Sequence, residues 1–341
     1  MRRIFQKEPD MPIEFATSAF ATPGRAVPAA VAAEEAGFDI LQLTDSQCLR
    51  GDVYTQMMLC GQATKRIKLA TGVTNPLTRH ASVTAASIIS IQVECDGRAI
   101  LGIGRGDSAV LHVGQKPATM SVYADYVMEL QAYLRGETVD QNGFESRLRW
   151  LDLIDVPTKV PVDMVASGPK SLRLAAALAE RVTLAVGVDP ERIEWGLAQI
   201  RAGAIAAGRD PSEIAVGAYV NVGVGDDADV VRESIKGSAA TFAHFSAARG
   251  ADFENQPAIM RRVTERLVDA YDTNYHTQGV APHVEILDDD FINWFAAVGN
   301  EDAVIARLAP LVEMGLSHLY FFGPSKGLSV RVMPELRALA G

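Results

Sequence analysis

The chain reads as a (β/α)8 TIM barrel with a long, mostly helical insertion before its last strand, and three observations carry that expectation. Eight short apolar segments of strand length recur along the 341 residues, mostly separated by stretches with helical spacing. The segments "EEAGFDILQLTD" at 34–45 and "VEMGLSHLYFFGP" at 312–324 echo one another near the two ends of the chain. Each closes a helix on acidic residues, puts Gly37 or Gly315 where a left-handed residue is wanted, and enters an apolar strand. Strands that alternate with helices pair in parallel, and eight of them favour a closed barrel. A doubly wound sheet with an accessory domain is the competing arrangement.

In order, the strands are expected at 12–18, 38–43, 67–71, 98–103, 162–166, 181–186, 214–221 and 317–322. The third breaks off at Thr71-Gly72-Val73 and reaches Asn75-Pro76 before a helical segment begins. The last helix before the eighth strand sets Val304, Ile305, Leu308, Leu311 and Val312 on one face, with Pro310 expected to kink it. Residues 225–300 hold far more than one helix and include "ATFAHFSAARG" and "DAYDTNYHTQGVAPHVEILDDDF". We expect one domain over 1–341 with 225–300 as an insertion of helices, the kind of segment that builds a lid or an oligomer contact. Phe242 and Phe245 beside His244 read as packing in preference to a substrate box.

Composition narrows the function classes. With 48% hydrophobic and 22% charged residues the chain has the make-up of an ordinary soluble globular protein. Its formal net charge of -10 offers no general field for a polyanion, so nucleic acid is not expected as a partner. No window approaches the ~18 uncharged apolar residues of a bilayer span, and "MRRIFQKEPDMPIEF" has no apolar core behind its arginines. A cytoplasmic protein without a membrane partner is the expectation. Cys48, Cys60 and Cys95 are odd in number and lack C-x-x-C spacing, which argues against a disulfide framework and a zinc site. The histidines form no His-x-x-x-His pair, so no metal centre is expected.

In a barrel, chemistry sits on the segments leaving the C-terminal ends of strands. Here these are Thr44-Asp45-Ser46-Gln47, Gly72-Val73-Thr74-Asn75, Gly104-Arg105-Gly106-Asp107-Ser108, Ala166-Ser167-Gly168-Pro169-Lys170 and Val186-Gly187-Val188-Asp189. Glycine in four of the five suits close approach of backbone to a ligand. "ASGPKS" before a helix could cradle a phosphate, although Gly-Pro there is also common turn chemistry. "GIGRGD" matches neither the dinucleotide fingerprint nor the P-loop. Asp45 reads either as a turn or cap carboxylate or as a proton carrier. Asp107 reads likewise, with Arg105 as a candidate ion-pair partner.

Together "LTDSQCLRGDVY", "ATGVTNPLTRH", "ILGIGRGDSAVLHVGQKP", "YLRGETVD" and "VASGPKSLRLAAALAERV" resemble the bacterial-luciferase-like superfamily of flavin and deazaflavin barrels. Within it they look like the branch of methylenetetrahydromethanopterin reductase, over about residues 12–335. The resemblance implies a non-prolyl cis bond at Gly72-Val73 behind the tricyclic ring, with Thr74 and Asn75 beside it. It implies that Gly106, Asp107 and Ser108 line the ring and ribityl chain and that Ser167, Gly168 and the Gly187-Val188 loop receive the phosphate, with Ser46, Arg105 and Pro169 counted as cofactor-binding beside them. Many relatives carry a histidine directly after the acidic residue at the end of strand two, where this chain has Ser46.

The function that follows is an oxidoreductase moving a hydride between coenzyme F420 and a small organic substrate, with Asp45 and Asp107 as the catalytic proton carriers. An FMN-dependent luciferase-like monooxygenase is the alternative, and a catalytically silent flavin-binding barrel is a third reading. Beside the small-molecule substrate, the expected partner is a further copy of this chain, in a homo-oligomer such as a dimer.

Overall fold

In the computed structural model the described residues are 13–247, 256–323 and 327–340. They fall into two compact units: Thr17–Val165 with Leu178–Arg181, and the remaining described residues.

In the first unit β1 (Glu14–Ala19, shared with the second unit) leads into α1 (Ala26–Glu35), β2 (Ile40–Leu43) and α2 (Val53–Ala63). β3 (Lys68–Thr71), α3 (Ala81–Glu94) and β4 (Ala99–Ile103) repeat the unit. A one-turn helix, α4 (Ser108–Leu111), precedes α5 (Met120–Leu134). A hairpin of β5 (Val139–Gln141) and β6 (Phe144–Ser146) follows before β7 (Val162–Ala166). α1 stops where expected: Gly37 has φ +82°, and the Phe38 N–H reaches back to the Ala33 carbonyl at 3.1 Å. The Glu34 carboxylate then accepts from the backbone N–H groups of Lys65, Arg66 and Ile67 at 2.6–3.2 Å, fixing the approach to β3.

The second unit continues with α6 (Pro169–Leu178), β8 (Arg181–Leu184), α7 (Pro190–Ala206) and the long β9 (Ala215–Val224). Between β9 and the last strand come α8 (Ala228–Ser246), α9 (Ala258–Ala270), α10 (Asp289–Phe295), the short β10 (Ala297–Gly299) and α11 (Glu301–Glu313). β11 (His318–Phe322) and α12 (Met333–Ala340) close the chain. α11 runs through Pro310 and ends like α1, with Gly315 at φ +87° and the Leu316 N–H on the Leu311 carbonyl.

Hydrogen bonding orders the main sheet β10-β9-β11-β1-β2-β3-β4-β7-β8, and β8 pairs back with β9, closing eight strands into a parallel TIM barrel. β10 pairs with Val222–Val224, beyond the stretch of β9 that β11 uses. β2 and β4 are buried along their whole length, as strands covered on both faces require. Inside the second unit His318 is fully buried, with Nε2 2.8 Å from Thr183 Oγ1 and Nδ1 2.8 Å from Ser317 Oγ. Gly217 makes room for its ring. Phe242 packs edge-on against Tyr219 at 5.0 Å and tilted against Phe322 at 4.7 Å, which is core packing. Among the described residues no helix is long and apolar enough to cross a membrane.

Candidate active site

β3 does not simply end. The Thr71 hydroxyl donates to the Gly102 carbonyl at 2.6 Å, and the Gly72 N–H donates to the Leu43 carbonyl at 2.6 Å. The Gly72-Val73 peptide bond is cis, as the resemblance implied. Pairing with β4 then resumes, because Thr74 N–H reaches the Gly102 carbonyl at 2.9 Å and Gly104 N–H reaches the Thr74 carbonyl at 3.0 Å. The bulge is therefore flanked on both sides by ladder bonds. A side chain at Gly72 would run into Gln42, whose Cγ lies 2.2 Å from the place of a Cβ. Val73 stands over Gly102 and Gly104, partly exposed, as an apolar surface at the strand end.

Beyond the bulge Asn75 is fully buried and its Oδ1 accepts from the Leu77 and Thr78 N–H groups at 3.0 and 3.1 Å. That turn carries the chain round to Arg79. Asn75 Nδ2 is buried with no hydrogen-bond partner among the described residues.

Asp45, at the end of β2, has a side chain only 1% exposed, and its Oδ2 lies 2.6 Å from Arg79 Nη1. Arg79 Nη2 reaches Asp52 Oδ2 at 3.2 Å, and Asp52 also caps α2 through the Thr55 N–H. Asp45 is thus neither a turn nor a cap carboxylate; it is one half of a buried ion pair. The Tyr54 ring lies under the Arg79 guanidinium at 5.0 Å, and burial together with the Asp45 charge pushes its hydroxyl pKa far up.

The loops after β2 and β4 are tied together. Ser46 Oγ lies 2.9 Å from Ser108 Oγ, and Gln47 Nε2 donates to the Ala109 carbonyl at 2.8 Å. Asp107 sits between these contacts and Gly106, whose place for a Cβ lies 3.3 Å from Asn75 Cβ. Burial pushes the Asp107 carboxyl up to about 6, against partial relief from the Ser108 backbone N–H and the charge of His112. A carboxyl that titrates near neutrality beside a strand-end bulge suits proton transfer. Arg105 takes no part in it: its Nε donates to the Ala118 carbonyl at 2.7 Å and holds the loop before α5 in place of pairing with Asp107. Thr74 is a buried rung of the ladder.

In the second unit the expected phosphate residues divide. Ser167 Oγ donates to the Phe245 carbonyl at 2.7 Å, so its proton is already used. At Gly168 a Cβ would meet only Ser171 Oγ at 3.7 Å, ordinary contact, and the first turn of α6 follows directly at Pro169. Gly187 differs. It has φ +82°, a Cβ would come within 2.7 Å of Phe295 Cδ2, and the neighbouring Val188 N–H bonds the Phe295 carbonyl at 3.1 Å. Packing on Phe295 accounts for Gly187 and Val188 without any ligand. Glycine at a strand end is thus weaker testimony to a ligand than the sequence suggested. Arg79 was missed, because a lone arginine in a loop carries no spacing signal; its partner lies 34 positions away.

The chain belongs to the luciferase-like monooxygenase family, whose model matches residues 10–318. It is 37% identical over 200 residues to a 5,10-methylenetetrahydromethanopterin reductase of Methanolobus tindarius, covering 58% of this chain and 60% of that relative. It is 31% identical over 258 residues to an F420-dependent hydroxymycolic acid dehydrogenase of Mycobacterium tuberculosis, covering 71% of this chain and 68% of the relative. Among solved structures, the coenzyme F420 dependent tetrahydromethanopterin reductase of Methanopyrus kandleri superposes with a TM-score of 0.72 at 21% identity, over 96% of this chain and 97% of that one.

Proposed function

We propose that the chain is an oxidoreductase transferring a hydride between the deazaflavin coenzyme F420 and a small organic substrate. The observation that carries the reading is the buried Asp107 carboxyl, raised to about 6, in the loop that leaves β4, the strand paired with β3 and its Gly72-Val73 bulge. The F420 dependence of the named relatives supports the deazaflavin over FMN.

The residues present fit such a group. Val73 offers an apolar surface for one face of a flat ring, and buried Asn75 Nδ2 has a donor to spare. In the second unit, taken by itself, a Cβ at Gly168 would meet only Ser171 Oγ at 3.7 Å, and the first-turn N–H groups of α6 suit an anion such as a phosphate. F420, when bound, supplies the carbon that accepts or gives the hydride. The chain's own part is to back the ring with Val73, hold its edge through Asn75, and move a proton at the Asp107 carboxyl. Asp45, which pairs with Arg79, is the second candidate for the proton.

Titrating the purified protein with F420 and with FMN, each followed by absorbance and fluorescence, tests the cofactor. Saturable F420 binding is expected; binding of FMN alone would overturn the deazaflavin assignment. A screen of F420 oxidation or reduction against small organic compounds then tests the reaction.

A further inference from the structure

A second feature of the first unit is not used by the chemistry above. An open cleft of about 800 Å³ lies between the end of β1 with its turn into α1 and the loop after β2, lined among others by Phe20, Thr22, Arg25, Cys48, Leu49 and Arg50. Its size is that of a small-molecule site, and it opens at the C-terminal ends of two barrel strands. It is continuous in sequence with the candidate active site, since Cys48 follows Asp45 by three positions and Ser46 by two. Gly51 N–H bonds the Ala21 carbonyl at 2.8 Å, which fixes the two walls against each other.

The charge of this cleft runs against that of the chain. The sequence carries 42 acidic residues to 32 basic ones, yet the lining residues include two arginines and no carboxylate. Neither arginine forms an ion pair among the described residues. Asp52 follows the lining residue Gly51 directly, but its carboxylate is engaged by Arg79 and the Thr55 N–H. Arg50 is held ready: its guanidinium lies 3.9 Å over the Phe20 ring, and Nη1 donates to the Leu49 carbonyl at 2.7 Å. Phe20 itself is 47% exposed. A planar cation fixed on an exposed aromatic ring, with a second arginine among the lining residues, matches a carboxylate joined to an apolar body.

We propose that this cleft binds the carboxylate end of the substrate, so that the enzyme's substrates are small organic acids with an apolar or aromatic body. The inference rests on the oxidoreductase reading for the word substrate, and on the cleft alone for the ligand chemistry.

The test is direct binding of benzoate, benzamide and phenyl phosphate to the full chain, followed by saturation-transfer NMR. Parent, Arg25→Gln, Arg50→Gln, Arg50→Lys and the double glutamine variant are compared. Benzoate is expected to bind the parent better than benzamide, more weakly as salt rises, and about tenfold or more weakly to the double variant. Arg50→Lys keeps the charge without the planar fork and should fall between. Equal binding of benzoate and benzamide by the parent overturns the proposal without recourse to any variant. So does undiminished benzoate binding by a double variant that still melts like the parent. Tighter binding of phenyl phosphate than of benzoate overturns the carboxylate assignment. F420 titrations of the same samples separate the two readings: a parent that selects benzoate but ignores F420 fails as a deazaflavin enzyme while the anion site stands.

Discussion

Asp45 and Arg79, 34 positions apart, form a 2.6 Å ion pair whose carboxylate is almost wholly removed from water. The pair joins the end of β2 to the loop leaving β3, and through Asp52 it reaches the start of α2. The two partners are unequal. Removing the arginine leaves a buried anion, whereas removing the carboxyl leaves a cation that still has Asp52.

Arg79→Gln is therefore expected to lose about 3 kcal/mol of stability, and Asp45→Asn clearly less. Denaturant midpoints of the two variants measure this. A larger loss in Asp45→Asn would show that Asp52 does not compensate. Asp52→Ala should cost about 1 kcal/mol through the lost helix cap, plus whatever it contributes to Arg79.

Ser46 and Ser108 link the loops after β2 and β4 through a 2.9 Å hydroxyl contact. A double-mutant cycle on Ser46→Ala and Ser108→Ala should return a coupling of about 1 kcal/mol. A coupling indistinguishable from zero would mean that the loops are held by Gln47 and the Ala109 carbonyl alone.

Gly168 and Gly187 differ in what an added side chain would meet. A Cβ at Gly168 meets nothing closer than 3.7 Å, while one at Gly187 meets Phe295 at 2.7 Å on a backbone with φ +82°. Gly187→Ala should lose about 2 kcal/mol or more, and Gly168→Val less than about 1 kcal/mol. F420 affinity, by contrast, should fall in Gly168→Val. If its affinity is unchanged, the phosphate does not sit at this turn.

The barrel was legible because its signals are local. All eight strands lie within a few residues of the apolar runs that announced them, and the two glycine-closed helix ends are visible as such in "EEAGF" and "VEMGL". The hairpin of β5 and β6 went unread although its turn is marked, with Asn142 at φ +56° and Gly143 at φ +83°. The site was legible only in part. Motif order gave the strand ends and the cis bond, but whether a glycine serves a ligand or a neighbour depends on residues such as Phe295, 108 positions after Gly187. The pairing of Asp45 with Arg79 is of the same long-range kind.

Asp107 supplies the pH dependence. Burial raises its carboxyl from 3.8 to about 6. A raised carboxyl favours folding in its protonated form, so its contribution is fully present below 3.8 and is lost as pH rises through about 6. Asp107→Asn cannot ionise and escapes that loss. Above pH 6 it should be more stable than the parent, by at most about 3 kcal/mol for a shift of this size. If Asp107 also moves the proton that accompanies hydride transfer, the same substitution should lower turnover about 100- to 10,000-fold. The parent's rate should then inflect near pH 6, an inflection that the variant lacks. F420 affinity should change little, because neither size nor hydrogen-bonding reach is altered much. A variant that is more stable and far slower identifies a group kept for chemistry at the expense of the fold. A variant that is more stable and equally fast would hand the proton to Asp45, whose amide variant is the next measurement.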